Sequence, residues 1–318
     1  MTMNKNEMKY ASVDTSLWFF YALNKYLQYT KDYSIAKPDT ELFKRATWII
    51  EKYIKGTDFN ISMDASDSLM YAGFPGTQLT WMDNKVEGLP LTPRIGKPVE
   101  VNALWYNAIR TMQDIAEKNK DSKMSDSYKN LADKIYKSFN EHFWNEEAGC
   151  LYDFFDGAYK DMDIRPNQIM AISLPYTLID DHKKREKIMN VVIKELYTSF
   201  GLRTLSNRST AFKATYDGNQ TTRDRATHQG TVWPWTVGHF VSAYIKTYGR
   251  AKESLQFIDT VYEPVFEHLK TAGLGTISEM FDGDFPYTAR GRISHSWAVA
   301  EILRSYFEDF LGENEKKD

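Results

Sequence analysis

Helical periodicity is the feature of this sequence that most limits the folds open to it. Apolar residues recur three or four positions apart in about nine segments, and strand-like alternation is nearly absent. The predicted helices span residues 14–30, 39–55, 100–119, 125–143, 166–180, 183–198, 230–248, 252–271 and 293–311. This pattern predicts an all-α chain.

The predicted helices are of two kinds, which alternate along the chain. One kind is apolar or aromatic on most sides, as in "VNALWYNAIRTM" and "SWAVAEILRSYF", which is typical of helices that contact protein on both faces. The other kind is amphipathic with a charged side, as in "HKKREKIMNVVIKELY". An inner ring of apolar helices wrapped by an outer ring, an α/α toroid, explains the alternation.

Four long segments without a helical pattern precede inner helices. They span residues 56–99, 144–165, 199–229 and 272–292. Loops of this length are uncommon in compact domains and are often functional. If these loops share one end of the ring, that end is the predicted working face.

Composition excludes several classes of protein. The chain has 318 residues and a net charge of −3 with dispersed charges, which argues against nucleic-acid and anionic-membrane partners. No signal peptide or membrane-length apolar run is visible, and no linker divides residues 1–318, so we expect a cytoplasmic protein with a single domain. Cys150 is the only cysteine, and we expect it to be an inert thiol.

Candidate chemistry is concentrated in the loops. "TQLTWMDNK" contains Asp83, "GTISEMFDGDFP" contains Glu279, and "YDGNQTTRDRATHQGTVWPW" mixes polar and aromatic side chains. Such mixtures suit a polyhydroxylated ligand, because rings cover apolar sugar faces while polar groups fix the hydroxyls. From the residues alone, Asp83 could instead cap a turn, Glu279 could lie in a solvated loop, and the tryptophans could be core.

Metal and cofactor sites are not indicated. His228 has no second His, Cys or carboxylate at ligand spacing, so it is more often a hydrogen-bonded loop residue than a metal ligand. The sequence also has no phosphate-binding P-loop and no serine nucleophile elbow. We therefore expect neither a metal nor a cofactor.

Several of these stretches occur together in one known family. "SVDTSLWFF", "TQLTWMD", "LTPRIGKPVEVNALWYNA", "RPNQIMAISLP", "GLRTLS", "RDRATHQGTVWPW", "ISEMFDGD" and "SWAVAEILR" resemble, in order, the amylo-alpha-1,6-glucosidase domain of glycogen debranching enzymes. The resemblance covers nearly the whole chain. It implies a six-pair toroid of the glucoamylase type that acts on alpha-1,6-linked glucose at glycogen or dextrin branch points.

The resemblance also assigns residues. It implies that Asp83 is the general acid and Glu279 the general base of an inverting hydrolase, a pair that fits the two-carboxylate requirement of this chemistry. Trp81 would exclude water from the acid and favour its protonated form. The implied substrate-binding residues are Trp81, Arg94, Glu100, Asn102, Trp105, Asp217, Arg223, His228, Gln229, Trp233 and Trp235.

The chain departs from the family pattern at several positions. Arg292 stands where the family usually has Cys, and His295 stands between two serines where the family usually has Gln. Thr227 stands where an aromatic residue is common, and Ser68 where Gly is preferred. The family's inner helix before "SVDTSLWFF", with its W-G-R-D loop, has no counterpart in this sequence, so we expect an incomplete ring of about nine to ten helices.

An incomplete ring leaves two further functional classes open. The chain could be a catalytically silent glycan-binding or regulatory subunit, or a plain helical scaffold, although the polar and aromatic loops disfavour a scaffold. We also expect either a partner chain or self-association to complete the ring, because open rings expose apolar helix faces.

Overall fold

A computed structural model describes residues 11–312, and α-helices dominate this part of the chain. The helices are α1 (Thr15–Thr30), α2 (Glu41–Lys55), α3 (Val99–Lys118), α4 (Ser122–His142), α5 (Met170–Ser173), α6 (His182–Glu195), α7 (Gln220–Ala226), α8 (Thr236–Tyr248), α9 (Lys252–His268) and α10 (Ser296–Ser305). The prediction of a helix-rich chain is confirmed.

Side-chain caps fix where several helices begin. Thr40 accepts a hydrogen bond from the backbone N–H of Phe43 at the start of α2, and Asp121 accepts one from Met124 at the start of α4. Asn219 does the same for α7. Each cap satisfies a backbone donor that has no partner within the helix, typically worth about 1 kcal/mol.

The apolar helices pack against one another in chain order. Helix α1 packs on α3, α3 on α5, α5 on α8, and α8 on α10, while the amphipathic α4 and α9 cover α3 and α8. Helix α3 is buried along most of its length, as its apolar sequence predicts.

The two ends of this series meet through side chains rather than through helix packing. Lys25 on α1 donates to Glu308 over 2.6 Å, Tyr29 donates to the same carboxylate over 2.6 Å, and Tyr21 donates to Glu301 over 3.4 Å. These polar side chains join the two ends of the series in the described part of the chain.

Short strands in the loops were not predicted. They are β1 (Ser62–Met63), β2 (Met70–Tyr71), β3 (Lys85–Val86), β4 (Leu89–Pro90), β5 (Lys97–Pro98), β6 (Trp144–Asn145), β7 (Cys150–Leu151), β8 (Phe154–Asp156), β9 (Tyr159–Lys160), β10 (Tyr197–Thr198), β11 (Gly201–Arg203), β12 (Val232–Trp233), β13 (Met280–Phe281) and β14 (Ala289–Arg290). The strictly all-α prediction is therefore too narrow. These strands were missed because two or three residues are too few to show the alternation of apolar and polar residues.

One small sheet joins two of the functional loops. Strands β10 to β14 form a five-stranded antiparallel sheet in sequence order, with Val232 opposite Phe281 and Met280 opposite Arg290. This pairing brings the Trp233 segment beside the Glu279 segment.

Some predicted helix boundaries are wrong. The segment 166–180 is helical only through a 3₁₀ turn (Pro166–Ile169) and α5, because Pro175 disfavours helix for the residue before it. The segment 230–248 begins as β12 before α8, and the predicted loop 199–229 contains the polar helix α7. Helix α10 starts at Ser296 and ends in a π-helical turn (Tyr306–Phe310).

Among residues 11–312, no helix is both long enough and apolar enough to cross a bilayer.

Cys150 is buried at β7, and burial raises the pKa of its thiol to about 11. The thiol is therefore protonated at neutral pH, as an inert cysteine requires.

Candidate active site

A cavity of about 1420 Å³ collects side chains from distant parts of the chain. Its walls come from the start of α1, the 80–84 segment, the 216–239 segment and the 275–301 segment. Six of the residues singled out in the sequence line it: Trp81, Asp83, His228, Trp233, Trp235 and Glu279. The two predicted catalytic carboxylates therefore belong to one cavity.

Asp83 reaches the cavity from the loop before β3. The neighbouring Asn84 fixes this loop, because its amide donates to Thr227 Oγ1 over 2.8 Å and to the Asp224 carbonyl over 3.2 Å. The Asp83 side chain is 71% exposed, and its Oδ1 lies 3.8 Å from His228 Nε2. The expectation that Trp81 keeps this carboxyl dry is wrong for the free protein.

Glu279 is held more tightly. Its backbone N–H donates to the Arg292 carbonyl over 2.8 Å, and the Arg292 N–H donates back to Glu279 Oε2 over 2.9 Å. The side chain is only 18% exposed, and Oε1 lies 3.8 Å from His295 Nε2. One carboxylate oxygen is thus fixed by the backbone, and the other faces an imidazole.

The three predicted tryptophans line the cavity, although they show little ring area to it. Trp81, Trp233 and Trp235 are 9%, 6% and 4% exposed, and Trp81 packs edge-to-face on the other two at 5.7 and 4.9 Å. The Trp81 indole donates to Asn167 over 2.8 Å. These three rings therefore offer little surface to a sugar in the free protein, whereas Trp297 is 53% exposed in the same cavity.

Four residues expected to contact sugar lie in the protein interior instead. The Arg94 guanidinium forms ion pairs with Glu100 and, over 2.6 Å, with Asp153. Asn102 bonds to the Met70 and Pro98 backbones, and the buried Trp105 donates to the Ser68 carbonyl. Arg94, Glu100, Asn102 and Trp105 thus lie outside the cavity lining and support the 64–98 segment, and their contact with substrate stays a prediction.

Three more residues that were predicted to bind substrate do not line the cavity formed by residues 11–312. Asp217 is exposed and pairs with Arg290 at 3.6 Å. Arg223 donates to the Gly218 carbonyl over 2.7 Å, and Gln229 is buried, donating to the Leu91 carbonyl over 2.8 Å. These three residues make contacts within and between loops, and their contact with substrate stays a prediction.

The cavity also contains ionisable residues that were not predicted. Burial raises the pKa of Asp14, which accepts a hydrogen bond from the Trp81 backbone. Burial alone would raise the pKa of Glu301, but Arg304, 2.9 Å away, and His239, 3.6 Å away, outweigh it, so the pKa of Glu301 is lowered. Glu301 therefore presents a charged carboxylate to the wall between α8 and α10.

The sequence contains only a partial signal for these residues. Glu301 interrupts the apolar run "SWAVAEILR" four positions after Trp297, which places both on one side of α10. Asp14 precedes a helix and reads as an N-cap, but its side chain caps nothing there. Among residues 11–312, no group of three or more His, Cys, Asp or Glu is arranged to hold a metal ion.

Two carboxylates from separate loops in an aromatic cavity of a helix-rich chain have the make-up of a glycoside hydrolase. Comparison with known families agrees with this class. The sequence model of the amylo-alpha-1,6-glucosidase family matches residues 1–304, and the chain belongs to that family.

Individual relatives are longer than this chain. The glycogen debranching enzyme of Saccharomyces cerevisiae is 24% identical over a match that covers 60% of this chain and 15% of that enzyme. A solved sialidase structure superposes with a TM-score of 0.72 at 14% identity, covering 96% of this chain and 26% of the sialidase. The sialidase shows a shared fold only, and the chain spans about a quarter or less of either relative.

Proposed function

We propose that the chain removes alpha-1,6-linked glucose from glycogen or limit-dextrin branch points by an inverting mechanism. The observation that carries the proposal is that Asp83 and Glu279, about 200 positions apart in the sequence, line one aromatic cavity. Asp83 donates a proton to the leaving oxygen, and Glu279 activates a water on the opposite face of the sugar.

The environments of the two carboxylates fit these roles unequally. Glu279 accepts a backbone hydrogen bond, which holds the carboxylate of the proposed general base in place. Asp83 is largely exposed, so the water exclusion that favours a protonated acid has to come from the bound glucan. The proposal therefore includes a change of solvation at Asp83 on substrate binding.

The test is incubation of the purified chain with a branched limit dextrin, followed by assay of free glucose. Inversion at an alpha linkage gives beta-glucose first, which ¹H NMR during the first minutes distinguishes from alpha-glucose. Release of alpha-glucose first would overturn the inverting mechanism, and no release by the chain or its complexes would overturn the hydrolase proposal.

We also propose that the helices form a single incomplete α/α toroid whose open side lies between α10 and α1. The support is the chain-order packing of the apolar helices and the side-chain junction between these two. The cavity extends into this junction through Trp18, Tyr21 and Glu301. A second polypeptide, or a second copy of the chain, would complete the wall.

The open side also supports a second candidate function. A glycan-binding or regulatory subunit would retain the cavity but hydrolyse nothing until a partner completes it. Binding of maltooligosaccharide to the isolated chain, measured by calorimetry, without glucose release would favour this function. Release of glucose by the isolated chain would exclude it.

A further inference from the structure

Two histidines flank one tryptophan at the centre of the cavity, and each faces a different carboxylate. The His228 ring stacks on Trp233 at 5.2 Å and 24°, and the His295 ring packs edge-on against Trp233 at 6.0 Å and 76°. His228 Nε2 lies 3.8 Å from Asp83, and His295 Nε2 lies 3.8 Å from Glu279. The mechanism above uses the carboxylates and leaves both imidazoles without a role.

The backbone and two rings hold His295 in place. Its N–H donates to the Ile277 carbonyl over 3.0 Å, and its ring packs against Trp297 at 5.3 Å as well as against Trp233. The residue is buried. Because the His295 side chain is fixed in this way, it can hold the neighbouring Glu279 carboxylate in one orientation.

The environment of the two ring nitrogens decides the tautomer. His295 Nδ1 is buried and has no hydrogen-bond partner among the described residues, whereas Nε2 faces Glu279 Oε1. A proton on Nδ1 would leave a buried donor unpaired and would point the Nε2 lone pair at a carboxylate. The neutral ring therefore carries its proton on Nε2.

We propose that His295 is a positioning residue for Glu279. Its Nε2–H holds Oε1 while the Arg292 N–H holds Oε2, so both oxygens of the general base are fixed and the remaining lone pairs can face a water. The gap of 3.8 Å is too long for a hydrogen bond in the free protein, and such bonds often tighten when substrate binds. The catalytic consequence rests on the proposed function, whereas the pairing itself does not.

The charges around His295 keep it a neutral donor. Burial lowers the pKa of His295, Glu279 opposes this, and Arg292 adds to the lowering. The other groups packed on the ring, Trp233 and Trp297, are uncharged. At neutral pH the imidazole therefore carries one proton.

Histidine NMR tests the pairing without any assay of activity. In the ¹⁵N-labelled full chain we expect the Nε2–H tautomer at His295, and we expect Glu279→Gln to lower the pKa of His295 by removing the only carboxylate that raises it. Asp83→Asn should likewise lower the pKa of His228. His268, which contacts Ser278 rather than either carboxylate, is the internal control and should not move.

Two results would overturn the pairing. One is an Nδ1–H tautomer at His295 in the unsubstituted chain, which needs no variant to fold. The other is a pKa of His295 that stays the same in Glu279→Gln, or that changes as much in Asp83→Asn. Either result counts whether or not the chain hydrolyses glucan.

Steady-state kinetics test the positioning role. His295→Phe keeps a ring against Trp233 and Trp297 but has no donor, and we expect kcat to fall about ten-fold or more with little change in KM, the loss of one hydrogen bond to a charged group. His295→Gln supplies an amide donor that does not titrate, and kcat should stay within about three-fold of the original. Equal kcat losses in both variants, or none in His295→Phe, would overturn the role. An unsubstituted chain that is inactive both alone and in its complexes would count against the proposed function alone.

Discussion

At the scale of single residues, the two cavity carboxylates should matter for turnover and not for folding. We expect Asp83→Asn and Glu279→Gln each to lower glucose release from limit dextrin about 10²–10⁴-fold, the usual contribution of one general acid or base. Thermal unfolding should barely change, because neither carboxylate forms an ion pair closer than 3.8 Å.

The matched controls for these variants lie on α9. Asp259→Asn and Glu263→Gln make the same chemical changes at exposed positions, and both should keep full activity. Near-normal turnover in either cavity variant would instead contradict the catalytic assignment of the substituted carboxylate.

Glu100 is buried and forms an ion pair with Arg94, so its substitution should affect stability. We expect Glu100→Gln to destabilise the fold by about 3–5 kcal/mol, because it leaves the buried Arg94 charge short of a partner. Glu141→Gln, in the exposed pair with Lys137, should cost about 1 kcal/mol or less. Urea unfolding measures both, and an increased KM at unchanged stability would restore Glu100 as a sugar contact.

His239 makes stability depend on pH. Burial lowers the pKa of His239 from 6.5 to about 4, so the unfolded chain binds its proton first as the pH falls. The neutral His239 side chain contributes fully to the free energy of unfolding above pH 6.5. This contribution is lost as the pH falls from 6.5 to about 4, and the loss at pH 5 is about 2 kcal/mol.

The check is a comparison of urea unfolding at pH 7 and pH 5. His239→Asn retains a polar group that can reach Ser173 and should lose less stability between the two pH values than the unsubstituted chain. The same exchange at the exposed His182 is the control. An unchanged pH dependence in His239→Asn would show that other groups cause the acid sensitivity.

At the scale of elements, the glycine that follows β14 leaves space for the Glu279 side chain. Gly291 has φ +66°, and a Cβ there would lie 2.5 Å from Glu279 Oε2. We expect Gly291→Ala to displace the carboxylate and lower kcat by about ten-fold or more, in addition to a backbone cost of about 1–2 kcal/mol.

Gly249 separates the two effects. It has a similar φ of +74° at the end of α8, but a Cβ there would meet nothing within 4 Å. Gly249→Ala should therefore show a backbone cost of about 1–3 kcal/mol in thermal unfolding with normal kcat. If both variants lose activity equally, backbone strain rather than the displaced carboxylate is the cause.

The elements also show what sequence could and could not predict. Long periodic segments such as α3 and α4 were predicted within three residues, because burial on a helix leaves a regular apolar pattern. The polar α7 and the two-residue strands were missed, because their formation depends on caps and on pairing with distant segments. Family motifs assigned Asp83 and Glu279 to one site, whereas the pairing of Glu301 with His239 joins two helices and leaves no signal within either segment.

At the scale of the whole molecule, the packed series of helices explains how residues so far apart share a cavity. Helices α1, α8 and α10 contribute Trp18, His239 and Trp297 to its walls, although α1 and α10 lie at opposite ends of the described chain. The side chains that join α1 to α10 and to the turn after it bring these two ends of the series to one cavity.

The last prediction concerns that open side. Helix α10 exposes Trp297, Leu303 and the adjoining Phe307, and α1 across the junction exposes Tyr26 and Tyr29. Apolar area of this kind usually marks a contact surface, so we expect self-association or co-purification of a partner chain, with weak or no activity in the isolated monomer.

Size-exclusion chromatography with light scattering, combined with purification from the native source, measures this association. Leu303→Gln should weaken it, whereas Ile54→Gln, an exposed apolar residue on α2 away from the junction, should leave it unchanged. Since the junction also forms one wall of the cavity, association and glucose release should rise together with protein concentration. A monodisperse monomer with full debranching activity would contradict the prediction, because residues of one chain would then suffice to build the site.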